Sequence, residues 1–374
     1  MPEIWLGYGE TEIILDIKYE NILKITKPNF ESMRYEEIQT AIKDNTIIEQ
    51  STLILFITPF QSMLPIINIF HDQLIEMNIN SWEICIVSPP FSQRMRHMIL
   101  DQKSNITRIS SNQINDKIST FQNIILVDKL EYDPMFGFAG THSRLIRKCN
   151  PEVMNEIYPT IIGNAPCPGQ QTESLKIAME YTAKTGYQMI NVISDKHGID
   201  SLHFENTSQS FLKSTSQFKQ KSTVECKNSK SGIFSGETNY NIQRSLGESM
   251  NLLWNNIHAI SQNGTIILLS ENREGIGTGA LSRYIDGRLD LSGLNKYNYM
   301  QDIEHLNYLQ LIKDKYEIIV ISTIPQVYLG KLGIRSLPKI KDGLEYLIKK
   351  NGKYHKINII PSSEITSTSI SEQL

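Results

Sequence analysis

The stretch NIILVDKLEYDPMFGFAGTHSRLIR, residues 123–147, opens on an apolar run and closes on polar and cationic side chains. The run NIILV (123–127) reads as a strand buried on both faces, as in a parallel sheet covered by helices. Gly137 and Gly140, three apart in a chain with 21 glycines, mark a backbone that turns tightly or comes close to another group. Thr141, His142, Ser143 and Arg144 follow, where a helix would begin. Backbone N–H groups in such a loop can hold a phosphate or a carboxylate. Gly137, Gly140, Thr141 and Ser143 are therefore expected to bind a ligand or cofactor. His142 is a candidate general base, because a free imidazole titrates near roughly pH 6.5. The plain alternative is a solvated loop histidine.

Similar runs recur on both sides: STLILFIT (51–58), WEICIVS (82–88), QMINVIS (188–194), TIILLS (265–270), EIIVIST (317–323) and KINIIP (356–361). Between them lie amphipathic stretches of helical length, among them 63–79, 170–186 and 245–264, the last predicted to end on Gly264 as a C-cap. Strand–helix alternation of this kind predicts α/β layers joined by right-handed crossovers. The first residues differ: EIWLGYGETEIILDI alternates around Gly7–Gly9 and predicts a β-hairpin. The Ser- and Lys-rich stretch 205–232 is the expected domain junction, and the tail SSEITSTSISEQL is expected to fray.

With 374 residues, two domains are the natural expectation. A formal charge of −3 gives no general attraction to nucleic acid or to an anionic membrane. No apolar run approaches the roughly 20 residues that span a bilayer, and no secretory leader is expected at the start. The four cysteines form no CxxC pair, which fits a reduced, cytoplasmic protein. The eight histidines form no HxxxH or HExxH, so no metal site of purely local ligands is legible.

Two further segments carry possible chemistry. In TIILLSENREGIGTGALSRYI, Gly275, Gly277 and Ala280 fit a loose dinucleotide fingerprint, but ENRE separates the strand from the first glycine. A glycine-rich loop lining a cleft, with Arg273 as an anion contact, is the better reading; glycines serving turn geometry alone is the plain one. Cys167, in GNAPCPGQQ (163–171), precedes a helix, though an inert loop thiol is the simpler account.

The order of these segments resembles the lactate racemase family. LGYGETEIILDIKYENILKITKP looks like that family's N-terminal element, GFAGTHS (137–143) stands where the family carries GFSGGRK, and GTIILLSENREGIG (264–277) is similar to its GGTIIMVA-ARDGHG segment. The resemblance implies two α/β domains with a cleft between them, over residues 1–222 and 223–354, with 355–362 returning to the first. It also implies an isomerase that moves a hydride on a small 2-hydroxy acid or polyol, through a lysine-tethered nickel-pincer nucleotide and histidine bases. Residue by residue the pattern departs. The tether lysine falls on Ser143, its neighbouring arginine on His142 and an upstream histidine on Asp133. The nickel-ligand histidine falls in 156–162 and a base histidine near Phe91, neither stretch holding a histidine. The DHTRP loop falls on 58–65, and a lysine and glutamine of the second domain fall near Arg244 and Gly247. Two expectations follow: an isomerase of this type, or a repurposed relative that binds a small anionic ligand or a protein partner in the inherited cleft. Asp133, His142 and Arg244 are the candidate catalytic residues of a rebuilt site. Gly137, Gly140, Thr141, Ser143, Arg273, Gly275 and Gly277 are the candidate cofactor-binding ones.

Overall fold

The computed structural model describes residues 3–87, 105–205, 208–237 and 244–370. The chain opens with a hairpin, β1 (Ile4–Tyr8) and β2 (Thr11–Leu15), which turns at Gly9 with φ +61°. β3 (Ile22–Ile25) and α1 (Tyr35–Asn45) lead into an alternation: β4 (Ser51–Phe56), α2 (Met63–Glu76), β5 (Ser81–Val87), β6 (Ile106–Ile109), α3 (Ile114–Ser119) and β7 (Asn123–Lys129). A small antiparallel pair, β8 (Glu131–Asp133) and β9 (Gly137–Ala139), feeds α4 (Thr141–Cys149), α5 (Pro151–Ile157) and α6 (Glu173–Thr182). Local chemistry sets these starts. Asn150 accepts from the Val153 N–H at 3.0 Å with Pro151 in the first turn, and Thr172 accepts from the Leu175 N–H at 3.0 Å. With β10 (Gln188–Ser194) and β11 (Ile199–Glu205) the first sheet is complete, in the order β11-β10-β7-β4-β5-β6 and parallel except at β11.

The second layer follows: α7 (Ser208–Ser222), β12 (Thr223–Cys226), β13 (Ser229–Ser235), α8 (Leu246–Asn256), β14 (Ile260–Leu269), α9 (Ala280–Ile285), α10 (Ile303–Ile312), β15 (Glu317–Ile321), α11 (Gln326–Lys331), β16 (Ile334–Leu337), α12 (Ile340–Asn351), β17 (Ile357–Ile360) and β18 (Ser367–Ile370). The second sheet runs β16-β15-β14-β13-β17-β3 and is parallel throughout. The predicted α/β architecture with parallel sheets is what the chain forms. Continuous apolar runs place alternate residues on both faces: Leu53, Leu55, Ile124 and Leu126 pack on one side of the first sheet, and Ile54, Phe56, Ile125 and Val127 on the other. One core cluster joins the layers, packing Phe136, Phe211 and Phe218 with Phe234, Trp254 and Ile360.

The strand expected near 355–362 is β17; it lies between β13 and β3, so it pairs with the chain's beginning and with the second sheet at once. Two expectations are corrected. Gly264 is not a C-cap. Helix α8 ends at Asn256, and Gly264 sits in a register shift of β14, where a Cβ would meet the Ser261 carbonyl at 2.7 Å. The tail does not fray over its described part: 362–368 are buried and β18 pairs with β12, because hydroxyls such as Thr366 Oγ1 donate to nearby carbonyls (Ser362 O, 2.7 Å).

Candidate functional site

The loop at 137–143 is closed on the protein itself. Gly137 has φ +80°, and a Cβ there would lie 1.8 Å from the Gln170 carbonyl oxygen. A Cβ on Gly140 would meet Asn191 Oδ1 at 2.6 Å. Asn191 accepts from the Thr141 N–H at 2.9 Å and donates to Thr141 Oγ1 at 3.0 Å. Ser143 Oγ caps the start of α4, accepting from the Gly140 N–H at 3.1 Å. His142 is buried, with Nδ1 2.5 Å from Thr182 Oγ1 and Nε2 2.9 Å from Glu205 Oε2. Burial lifts the Glu205 carboxyl above its ordinary range, against the pull of His142. Arg144 binds Asp128 at 2.6 Å and also Glu131, which pins α4 to β7 and β8. The glycines do mark a close approach, but what approaches is the chain's own backbone and Asn191.

Asp133 belongs to a different network. It accepts from the Met135 and Phe136 N–H groups and pairs with Arg147 at 2.8 Å; Arg147 also pairs with Glu304 of α10. Burial works to raise Glu304, but Arg147 outweighs it and holds that carboxyl below the usual range. Next to Glu304, burial first, then Glu304 and Glu248, lift the Asp302 carboxyl to about 7. Gly247 leaves room for it: a Cβ there would lie 2.2 Å from Asp302 Oδ1. Glu248 in turn accepts from the Arg244 N–H at 2.7 Å, and the Arg244 guanidinium pairs with Glu274. Asp133 and Arg244 thus stand at two ends of one charged belt between the layers, and His142 lies in another network. Arg273 pairs with Glu10 at 2.5 Å. With Gly275 it lines a pocket of 330 Å³ beyond the carboxyl ends of β14 and β15; Gly275 and Gly277 there hold φ +71° and +89°. Of that glycine loop, Arg273, Gly275 and Ile276 line the pocket and Gly277 does not. Phe91 lies outside the described residues.

A second group was not picked out from the sequence. In parallel α/β sheets ligands bind beyond the carboxyl ends of the strands, where the topology switches direction. Here that point lies between β13 and β17, and the loop after β10 of the first sheet meets it. The resulting cleft has a volume of 200 Å³, with Trp5, Lys27, Asp195, Lys196, Glu237 and Ser362 among its walls. The Glu237 N–H donates to Glu364 Oε1 at 2.8 Å, and Ser362 hydrogen-bonds the Glu237 carboxyl. Both carboxyls are buried, and Glu364 Oε2 has no hydrogen-bond partner. Burial lifts Glu237 to about 7 against the pull of Lys129; burial and Glu237 together lift Glu364 to about 8. Lys129, at the end of β7, is 4% exposed and 3.4 Å from Glu131. Burial alone would lower its ammonium, but Glu131, Glu237 and Glu364 reverse this and hold it above the ordinary value. The sequence signal was available: a charged residue one to four places beyond an apolar strand, as in NIILVDK, SGIFSGE and INIIPSSE.

This arrangement of two α/β layers around a cleft is the lactate racemase fold. The lactate racemase apoprotein from Thermoanaerobacterium thermosaccharolyticum superposes with a TM-score of 0.73 at 16% identity, over 98% of this chain and 100% of that one. A structural-genomics protein from Thermotoga maritima superposes with a TM-score of 0.65 at 10% identity, over 90% of this chain and 97% of that one. No family model matches the sequence, and no curated protein matches it significantly. The residues present do not fit a tethered nickel-pincer group at the 137–143 loop. Ser143 is 1% exposed and bound to backbone, both His142 nitrogens are engaged, and Asn191 fills the space beside Gly140.

Proposed function

We propose that this chain is a repurposed member of the lactate racemase fold that binds a small hydroxylated carboxylate in the 200 Å³ cleft, with Glu237 in the cleft wall, coupled to the buried Glu364 and Lys129, as its acid–base centre. One observation carries the reading: two buried, electrostatically coupled carboxyls from beyond the ends of β13 and β17, with the Glu237 backbone N–H donating to Glu364 Oε1 at 2.8 Å, near a buried lysine from the end of β7. Two coupled carboxyls in a dry site cannot both ionise readily, so the pair retains protons near neutrality. Such a pair can accept a proton from a ligand hydroxyl and return it. Lys129 offsets the charge that remains. At the rim, Lys27 is exposed and has no ion pair among the described residues, which suits a ligand carboxylate.

The test is calorimetric titration with a panel of 2-hydroxy acids and sugar acids in buffers of different ionisation enthalpy. Binding accompanied by proton exchange that disappears in Glu237→Gln supports the reading. No binding, or binding with no proton linkage, overturns it. The full-length likeness to a lactate racemase favours a second reading, the nickel-pincer isomerase. Protein purified from cells that make the pincer nucleotide distinguishes the two, because a stoichiometric nickel adduct by intact mass would replace the first reading with the second.

A further inference from the structure

A separate groove lies on the far side of the second layer, where the N-terminal hairpin meets α12, with a volume of 540 Å³. Its floor is apolar. Ile340, Leu344 and Ile348 repeat every four residues along α12 and face Ile17 and Ile14. Ile14 is 46% exposed, so apolar surface stands open to water. The rim is cationic: Lys18, Lys341, Lys349 and Lys353 stand against Asp16 and Glu345. Glu345 is already paired with Lys341 at 3.9 Å, whereas Lys18, Lys349 and Lys353 make no ion pair among the described residues. Surplus positive charge beside a long apolar floor complements a molecule with an anionic head and an apolar chain. A short hydroxy acid would leave most of that floor wet.

We propose that this groove binds one medium-chain fatty carboxylate, its chain along the Ile340–Leu344–Ile348 ridge and its head among Lys18, Lys349 and Lys353. The geometry gives two quantitative expectations. Each methylene taken out of water should tighten binding about fourfold until the floor is covered. Reversing rim charges should weaken a carboxylate and strengthen a cationic amphiphile of the same chain length.

The experiment uses the full chain, titrated with octanoate, decanoate and dodecanoate below their micelle concentrations, with native mass spectrometry for stoichiometry. The expected result is one bound chain, a roughly fourfold gain per methylene, and at least a tenfold loss for dodecanoate in Lys349→Glu/Lys353→Glu. Those positions are exposed, so this variant folds whatever happens to Ile348→Glu, which places a charge on the floor and should abolish binding. Absence of dodecanoate binding, or binding indifferent to the lysines, overturns the proposal. So does co-sedimentation with anionic vesicles without uptake of the free acid, which would assign the face to a membrane surface. Concentration-dependent self-association that buries the groove and excludes dodecanoate would assign it to a second copy of the chain.

Discussion

At the scale of single residues, the glycines and their neighbours separate a cradle from a joint. Gly137 sits in the left-handed region with no room for a side chain, so Gly137→Ala should lose about 2–4 kcal/mol in urea melts, more than an exposed glycine would. Ser143→Lys restores the residue type of the family motif. At a position 1% exposed it should cost more than about 3 kcal/mol, because the longer, charged side chain would lose its hydration there and crowd the packed start of α4. A variant that keeps the parental midpoint would show the loop to be open and would revive the cradle. What the sequence made legible here was the need for close approach at Gly137 and Gly140. The approaching group was not legible, because Gln170 and Asn191 are 33 and 51 residues further along. His142 shows the same limit. Its environment is made by Thr182 and Glu205, from two other elements.

At the scale of elements, strands announced themselves wherever both faces are apolar, as in β4, β7 and β10, and hid where polar residues interrupt. β13 reads SKSGIFS and β18 reads STSI, so neither has the continuous run that marks a buried strand. The segment 362–366 was misread for a related reason. Its hydroxyls look solvent-facing in sequence but fold back on local carbonyls, while Asn255 and Asn256 of α8 donate at 2.9 Å to the Ser363 carbonyl. That segment brings Ser362 to the cleft wall and Glu364 beside Glu237. Between elements, Arg147 of α4 is a buried charged tie from the first layer to the second. Replacing it with Met would leave Asp133 and Glu304, both buried, without their ion-pair partner. Loss of one partner of a buried pair costs about 3–5 kcal/mol, so Arg147→Met should lower the denaturation midpoint sharply. If the midpoint barely moved, the belt would be solvated and the layers would be held by apolar packing alone.

At the scale of the whole molecule, the two sheets meet so that charged groups from β7, β13 and β17 share one dry space, and stability must then respond to pH in a particular direction. Glu237 and Glu364 stand at about 7 and about 8 when folded, above a free carboxyl. Between roughly pH 4.3 and those values the folded chain holds protons that the unfolded chain has released. Their contribution is therefore complete below the unfolded value and is lost as pH rises through the folded ones. Thermal melts of the parent should fall from pH 6 to pH 9. In Glu237→Gln/Glu364→Gln that fall should shrink, at roughly 1–2 °C for each kcal/mol of linkage removed from a chain of 374 residues. A ligand whose hydroxyl proton is handed to this pair should bind with a pH profile that flattens in the same double variant. An unchanged slope in the double variant would mean that water reaches both carboxyls, and the acid–base role would fall with it. A slope that flattens without any change in ligand binding would keep the pair as a structural joint between β13 and β17 and remove it from the site. Stability and binding together thus decide whether the convergence of the two sheets serves chemistry or only cohesion.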